Sequence, residues 1–298
     1  MGVALEPLPV DQASPAGGVL RAARRPSGWL AAGPVPLLPA RLDELWPRSG
    51  EDLCWLAGNW RILQRTDGHR TSLDDLLTAH LAATLVEAGT AGGGAFLDLG
   101  CGIGSVLLLL AWRFPWARLH GIEAQEVSAG LARRSVAWNG VADRTTVVTD
   151  DLRTAAVLRA GPRYQLVTGT PPYFPTSAGP QSTHIQRGPC RFEHRGGIED
   201  YCQAAAPVLA EGAPFVACEA WSQRERVEPA GRAAGLGLVR WREVVPRQGK
   251  PPLLCIFALR ASDHAEPLQT LPPLVVRDAS GHRTSALMAI RSAMGMPP

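Results

Sequence analysis

The chain has 298 residues, of which 46% are apolar and 19% charged, and a net charge of +3. That is enough for one large catalytic domain or two small ones. The longest unbroken apolar run, Val106 to Trp112, is far shorter than the roughly 20 residues a membrane-spanning helix needs, so a helical membrane protein and a membrane partner are excluded. The cations are 29 Arg and one Lys, Lys250, a balance that tolerates a polyanionic partner without demanding one.

Residues 1–50 carry eight prolines among Ala, Gly and Arg. No period survives these breaks, and the stretch reads as a poorly ordered extension; its Arg21, Arg24 and Arg25 leave an organelle-targeting segment as the alternative. From residue 52 the pattern changes. Gly58–Gln64 alternates like a strand, and Ser72 opens a helix running to about Glu87, with Asp75 three places on as its capping partner. A regular alternation follows: strands at 95–99, 118–122, 145–149 and 165–169, with helices at 105–113 and 125–138 between the first three. It continues with a helix at 198–209, a strand at 214–219, a helix at 223–234, and two closing strands at 236–245 and 253–259 that form an antiparallel pair. Short apolar strands separated by helices predict an α/β fold whose mostly parallel sheet is covered on both faces. The expected organisation is a cap segment over 51–93, a core over 94–260, a tail over 261–285 and a flexible end over 286–298.

Six cysteines, at 54, 101, 190, 202, 218 and 255, form no C-x-x-C pair, and no Cys/His cluster has zinc spacing. With no secretory signal at the start, they read as reduced thiols in a cytoplasmic protein without a metal.

The sharpest motif is Asp98-Leu-Gly100-Cys-Gly102-Ile-Gly104, between an apolar strand and an apolar helix. Such glycines let the backbone turn tightly and approach a ligand closely. An acid just before the loop would repel a diphosphate but suits an ammonium group, so a ligand joining an amino acid to adenosine fits better than a dinucleotide. Glu123 ends the next strand, where a carboxylate can accept both ribose hydroxyls. Asp150 and Asp151 end the third; a carboxylate there can accept from an adenine amine while Leu152 covers the ring. The fourth strand runs into Thr170-Pro171-Pro172-Tyr173-Phe174. Two prolines stiffen the exit and leave carbonyls without ladder partners. The Thr170 oxygen and the Pro171 carbonyl can accept the N–H groups of a planar amine, stabilising charge that develops on nitrogen, and Tyr173 or Phe174 can stack on a base.

These residues resemble the class I S-adenosylmethionine-dependent methyltransferases, which implies a Rossmann-like fold with a seven-stranded sheet ending in an antiparallel strand pair. The resemblance implies S-adenosyl-L-methionine as cofactor, with Asp98 near its methionine moiety, Glu123 on the ribose, Asp151 and Leu152 at the adenine, and Gly100, Gly102, Gly104 and Thr170 around it. Thr170-Pro171-Pro172-Tyr173 resembles the N-P-P-Y signature of amino-methyltransferases, with Thr in place of Asn.

From about residue 52 to 285 the chain also resembles the bacterial tRNA (adenine-N6)-methyltransferases that act beside the anticodon of a valine tRNA. The carrying segments are Asp67-Gly-His-Arg-Thr-Ser-Leu-Asp-Asp, Arg134-Ser-Val-Ala-Trp-Asn139, Arg191-Phe-Glu193, Val245-Pro-Arg-Gln-Gly-Lys250-Pro and Leu271-Pro-Pro-Leu. Phe192 stands where that family tends to have His. The resemblance implies a monomer that methylates an adenine N6 in tRNA, with Phe174, Arg191, Glu193, Arg247 and Lys250 on the substrate. The alternatives are the same transfer to ribosomal RNA, a protein glutamine or a small amine, or a weakly active cofactor-binding homologue.

Overall fold

The computed structural model describes residues 10–36, 42–89, 94–155, 158, 161–174 and 193–298. At its centre lies a parallel run of strands. It comprises β5 (Ala95–Leu99), β6 (Arg118–Glu123), β7 (Thr145–Thr149), β8 (Leu166–Gly169) and β9 (Phe215–Ala220). The antiparallel β11 (Leu254–Ala261) lies beside β9, and β10 (Leu236–Val245) beside β11, so the order across the sheet is β10-β11-β9-β8-β5-β6-β7. The two-residue strands β12 (Gln269–Thr270) and β13 (Leu274–Val275) extend the β10 edge in parallel. Chain order therefore reverses beside β5: β6 and β7 build outward one way, β8 and β9 the other. A crevice opens at the carboxyl ends of the strands at such a switch point.

The strands are apolar because both faces are covered. β8 and β9 are buried at every position. Helix α2 (Ser105–Arg113) is buried from Ser105 through Trp112, so it is apolar all round, without a wet stripe. α1 (Leu73–Gly89) and α3 (Glu126–Trp138) share its hydrophobic cluster on one face of the sheet, and α4 (Ile198–Ala205) and α5 (Val227–Ala233) pack together in a second cluster on the other face. The expected helices at 198–209 and 223–234 are shorter: each is an α-helix joined to a tight 3-10 turn, at 206–208 beside Pro207 and at 221–226. Ahead of the expected strand over 58–64, which is β4 (Arg61–Arg65), lies a partner that alternation did not reveal. This is β3 (Glu51–Trp55), antiparallel to β4.

Two expectations about the chain ends are corrected. Residues 10–36 lie against the domain. β1 (Gln12–Ala13) pairs with β2 (Val19–Leu20), and β2 pairs in parallel with β3. Prolines stop long elements from forming, but they do not stop a short strand from completing an open sheet edge. The end is likewise ordered: α6 (Ser285–Ala293) is capped by the Thr284 hydroxyl accepting from the Leu287 amide, and it buries Leu287 and Ile290. Both ends converge on Trp112. A Cβ on Gly33 or Gly295 would collide with its indole, and the Gly58 amide donates to the Gly295 carbonyl at 2.6 Å.

The segment Arg134–Asn139 is a splint. The Asn139 side chain exchanges two hydrogen bonds with the Arg61 backbone, Ser135 accepts from the Leu63 amide, and Arg134 binds Glu51 at 2.8 Å. These contacts tie α3 to the β3–β4 hairpin. Among the described residues no helix is long and apolar enough to cross a membrane, and no group of three His, Cys, Asp or Glu could hold a metal.

Candidate active site

The crevice at the switch point gathers most of the expected residues. Gly100 and Gly102 from the loop after β5, Glu123 from β6, Asp150, Asp151 and Leu152 after β7, and Thr170, Pro171, Pro172 and Tyr173 after β8 all line it. Gly100, Gly102 and Gly104 have φ of 59°, 55° and 86°, the left-handed region that costs an L side chain about 1–2 kcal/mol. Gly104 caps α2 from beneath.

Glu123 is almost fully buried. Its Oε2 accepts from the Gly102 amide at 2.9 Å and its Oε1 from the Gln125 amide at 2.7 Å. An ionised carboxylate has about four acceptor sites, so two remain for hydroxyl groups of a ligand. Burial raises its pKa, and the two amides hold it down. Asp98 lies beneath the glycine loop, 2% exposed. Its Oδ1 accepts from the Thr168 hydroxyl at 2.8 Å, and its Oδ2 has no hydrogen-bond partner. Burial pushes its pKa up to about 7. Asp151 is forked by Arg153 at 2.7 and 2.9 Å, and that hydrogen bonding holds its pKa down.

Among the lining residues not expected there are His69, Asp74 and Asp75, from the segment entering α1, and Tyr201 of α4; Arg195, from the segment entering α4, lines it as well. The expected cap is half formed. The Ser72 amide donates to Asp75 Oδ2 at 3.0 Å, but the Ser72 hydroxyl also donates to the carboxylates of Asp74 and Asp75. Burial first, and the neighbouring Asp74 second, push Asp75 up to about 7. The Tyr173 hydroxyl donates to Asp74 Oδ2 and lies 3.3 Å from Cys218 Sγ; burial holds it protonated far above the usual phenol range. His69 is pushed down by burial. Tyr201 fills the space that two glycines leave open: a Cβ at Gly100 would strike its hydroxyl, and one at Gly169 would come within 2.7 Å of its ring. The available sequence signal was the run of small residues at the ends of β5 and β8, which requires something large opposite.

Other expected substrate residues lie apart. Glu193 is held by Arg226 at 2.6 and 3.1 Å, a structural fork that leaves it outside the crevice lining. Phe174 is exposed and not part of the lining. Arg247 and Lys250 are exposed on the turn between β10 and β11. β10 runs parallel to the central strands, so this turn shares their carboxyl edge with the crevice. Arg191 lies outside the described residues.

Five carboxylates line the crevice, against His69 and Arg195 as basic groups. Such a wall repels phosphates and attracts cations. With the free lone pairs of Glu123, it fits a donor carrying an ammonium, a sulfonium and a ribose; Asp98 and Gly104 lie beneath the loop, outside the lining.

No family model matches the chain. A tRNA1(Val) (adenine(37)-N6)-methyltransferase from Porphyromonas gingivalis is 36% identical over 116 residues, 38% of this chain and 45% of that protein. The chain thus matches less than half the length of that relative. Its Vibrio cholerae counterpart is 28% identical over 235 residues, 74% of this chain and 86% of that one. A predicted O-methyltransferase from Agrobacterium tumefaciens has a solved structure that covers 75% of this chain and 98% of its own, with a TM-score of 0.56 and 20% identity, which shows the shared fold. The chain has the class I methyltransferase fold and is distantly related in sequence to S-adenosylmethionine-dependent methyltransferases. Within that class it is a distant relative of the tRNA1(Val) enzymes, and the cofactor implied is S-adenosylmethionine. A release factor glutamine methyltransferase from Moorella thermoacetica also matches, at 28% identity over 243 residues, 74% of this chain and 84% of that protein.

Proposed function

We propose that this class I methyltransferase transfers a methyl group to the exocyclic N6 amine of an adenine in tRNA. The observation that carries the reading is that Thr170-Pro171-Pro172-Tyr173 lines the same crevice as Glu123 and the glycine loop, which brings a cradle for a planar amine next to a cradle for the donor. The matches to tRNA adenine-N6-methyltransferases support the choice of acceptor.

The bound sulfonium supplies an electrophilic methyl group. Glu123 would hold the ribose hydroxyls, Asp98 would balance the ammonium, and Asp151 with Leu152 would receive the adenine. On the other wall, the Thr170 hydroxyl and the Pro171 carbonyl would accept the two N–H groups of the target amine. That orients its lone pair at the methyl carbon and stabilises positive charge as it grows on nitrogen. The Tyr173 ring, fixed through Asp74, walls the base. An adenine within structured RNA must be splayed out to reach this depth.

The match to a release factor glutamine methyltransferase over 74% of this chain favours one second reading, methylation of a protein glutamine, whose amide is also a planar amine of low nucleophilicity. Incubation with labelled donor, in parallel with unmodified tRNA and with a release factor, separates the two. N6-methyladenosine after nucleoside digestion supports the first; label confined to the protein overturns it.

A further inference from the structure

Beside the crevice lies a second cavity, about 770 Å³ in volume, walled by six arginines: Arg21, Arg24, Arg70, Arg277, Arg283 and Arg291. Asp11 is the one carboxylate in its lining. Two of the arginines are balanced by two carboxylates: Arg21 binds Asp11 at 2.8 Å and the fully buried Asp52 at 2.8 Å, and Arg70 binds Asp52 at 3.0 Å. Arg24, Arg277, Arg283 and Arg291 have no Asp or Glu partner among the described residues. Arg277 donates to the Gly281 carbonyl, Arg291 to the Pro297 carbonyl and toward Met296 Sδ, and Arg283 to an oxygen of Pro298, the last residue of the given sequence. The charge of Arg283 adds to burial in lowering the pKa of Arg291, a repulsion that an anion between them would relieve. In a chain of net charge +3, this is a concentrated positive field.

The cavity adjoins the crevice. Thr71 and Ser72 line it, the Thr71 hydroxyl lies 3.2 Å from that of Ser105, and Ser105, Asp74 and Asp75 line the crevice. One stretch of chain separates an acidic wall from a basic one. Arg24 reaches the cavity because β2 is paired to β3 and the Arg21 amide donates to the Leu53 carbonyl at 3.1 Å. The segment over 10–36, outside the family resemblance, thus builds part of this wall. The rim continues along the carboxyl edge of the sheet. The Gln248 amide donates to the Arg277 carbonyl at 2.8 Å, joining the turn that carries Arg247 and Lys250 to the arginine wall.

We infer that this cleft docks the phosphate backbone of the RNA whose base enters the crevice. The inference rests on the RNA reading given above. Guanidinium forks match phosphate oxygens in pairs, and phosphate contacts fix the register of a nucleic acid while base contacts select it. An acidic protein surface is disfavoured, because the one aromatic ring in this lining, Trp55, is already covered by Arg25 and Arg61 at 4.2 and 3.9 Å and offers no free aromatic anchor.

The test uses the full chain with Arg24, Arg277 and Arg283, all exposed, replaced together by Ala or together by Lys, and Arg232→Ala as a control. Unmodified tRNA is titrated at several salt concentrations. The Ala triple should bind tRNA about thirtyfold more weakly near 0.1 M salt, and its plot of log affinity against log salt should flatten by about 2 to 3, one for each lost phosphate contact. KM for tRNA should rise while kcat and S-adenosylhomocysteine affinity hold. The Lys triple should keep the wild-type slope, and Arg232→Ala should change nothing. Equal tRNA affinity and slope in wild type and Ala triple overturn the cleft but leave the RNA reading standing. A wild type that binds no tRNA overturns both. A release factor whose KM, and not that of tRNA, rises in the Ala triple assigns the cleft to a protein and overturns the inference.

Discussion

The two walls of the crevice are built by different means. The donor wall consists of successive strand ends, and its key carboxylate, Glu123, is locked by backbone amides of its own neighbourhood. The acceptor wall is held across the chain by side chains: Tyr173 binds Asp74, 99 residues earlier, and Cys218 on β9. Backbone-locked geometry survives changes elsewhere, whereas a wall of side-chain contacts can be retuned a residue at a time. On the proposed function, donor binding is therefore the robust half of this site and acceptor choice the adjustable half.

The largest effect should come from breaking the donor wall. Glu123→Ala removes two charge-assisted hydrogen bonds, each worth about 1.5–3 kcal/mol, and frees the Gly102 amide. Calorimetry should show S-adenosylhomocysteine affinity falling at least about a hundredfold by that arithmetic; a drop below about fivefold would mean that the ribose lies elsewhere.

Next is the acceptor cradle. Thr170→Ala should cut kcat roughly tenfold, as expected for loss of one acceptor that strengthens in the transition state, with donor affinity nearly unchanged. If donor binding falls in step with kcat, the two walls are not separable as described. Tyr173→Phe leaves the Asp74 carboxylate short of a donor, and chemical denaturation should register about 1–2 kcal/mol of lost stability with the donor site intact.

The smallest effect is in pH. The Asp98 carboxyl has a folded pKa of about 7, raised from 3.8 chiefly by burial. A raised folded pKa means the native state holds the proton more tightly than the unfolded chain. Its contribution to stability is complete below about pH 4 and is lost as pH rises through 7. A cationic donor favours the ionised form, so product affinity should rise between pH 6 and 8. Asp98→Asn should flatten both trends, and parallel profiles in wild type and variant would dismiss the role given to Asp98.

The donor wall was legible in the sequence because its signals are local: glycines in a loop, acids at strand ends, a regular strand–helix rhythm. The acceptor wall was legible only where it is contiguous, from Thr170 to Tyr173. Asp75 read only as the capping partner of Ser72, and Asp74 and His69 had no role in the site, because their place in the crevice depends on chain segments that arrive from far away. The Glu193 pairing was illegible for the same reason, since its partner Arg226 belongs to another turn. The segment over 10–36 lacked any period because its strands are two residues long and gain their register from β3.

The clasp at Trp112 has a consequence for how the molecule is made. The indole is enclosed by Gly33 from one end of the sequence and Gly295 from the other, and contacts between such distant positions form slowly. On a translating ribosome that ring would stay bare until the segment bearing Gly295 emerged, exposing a hydrophobic handle to chaperones until then.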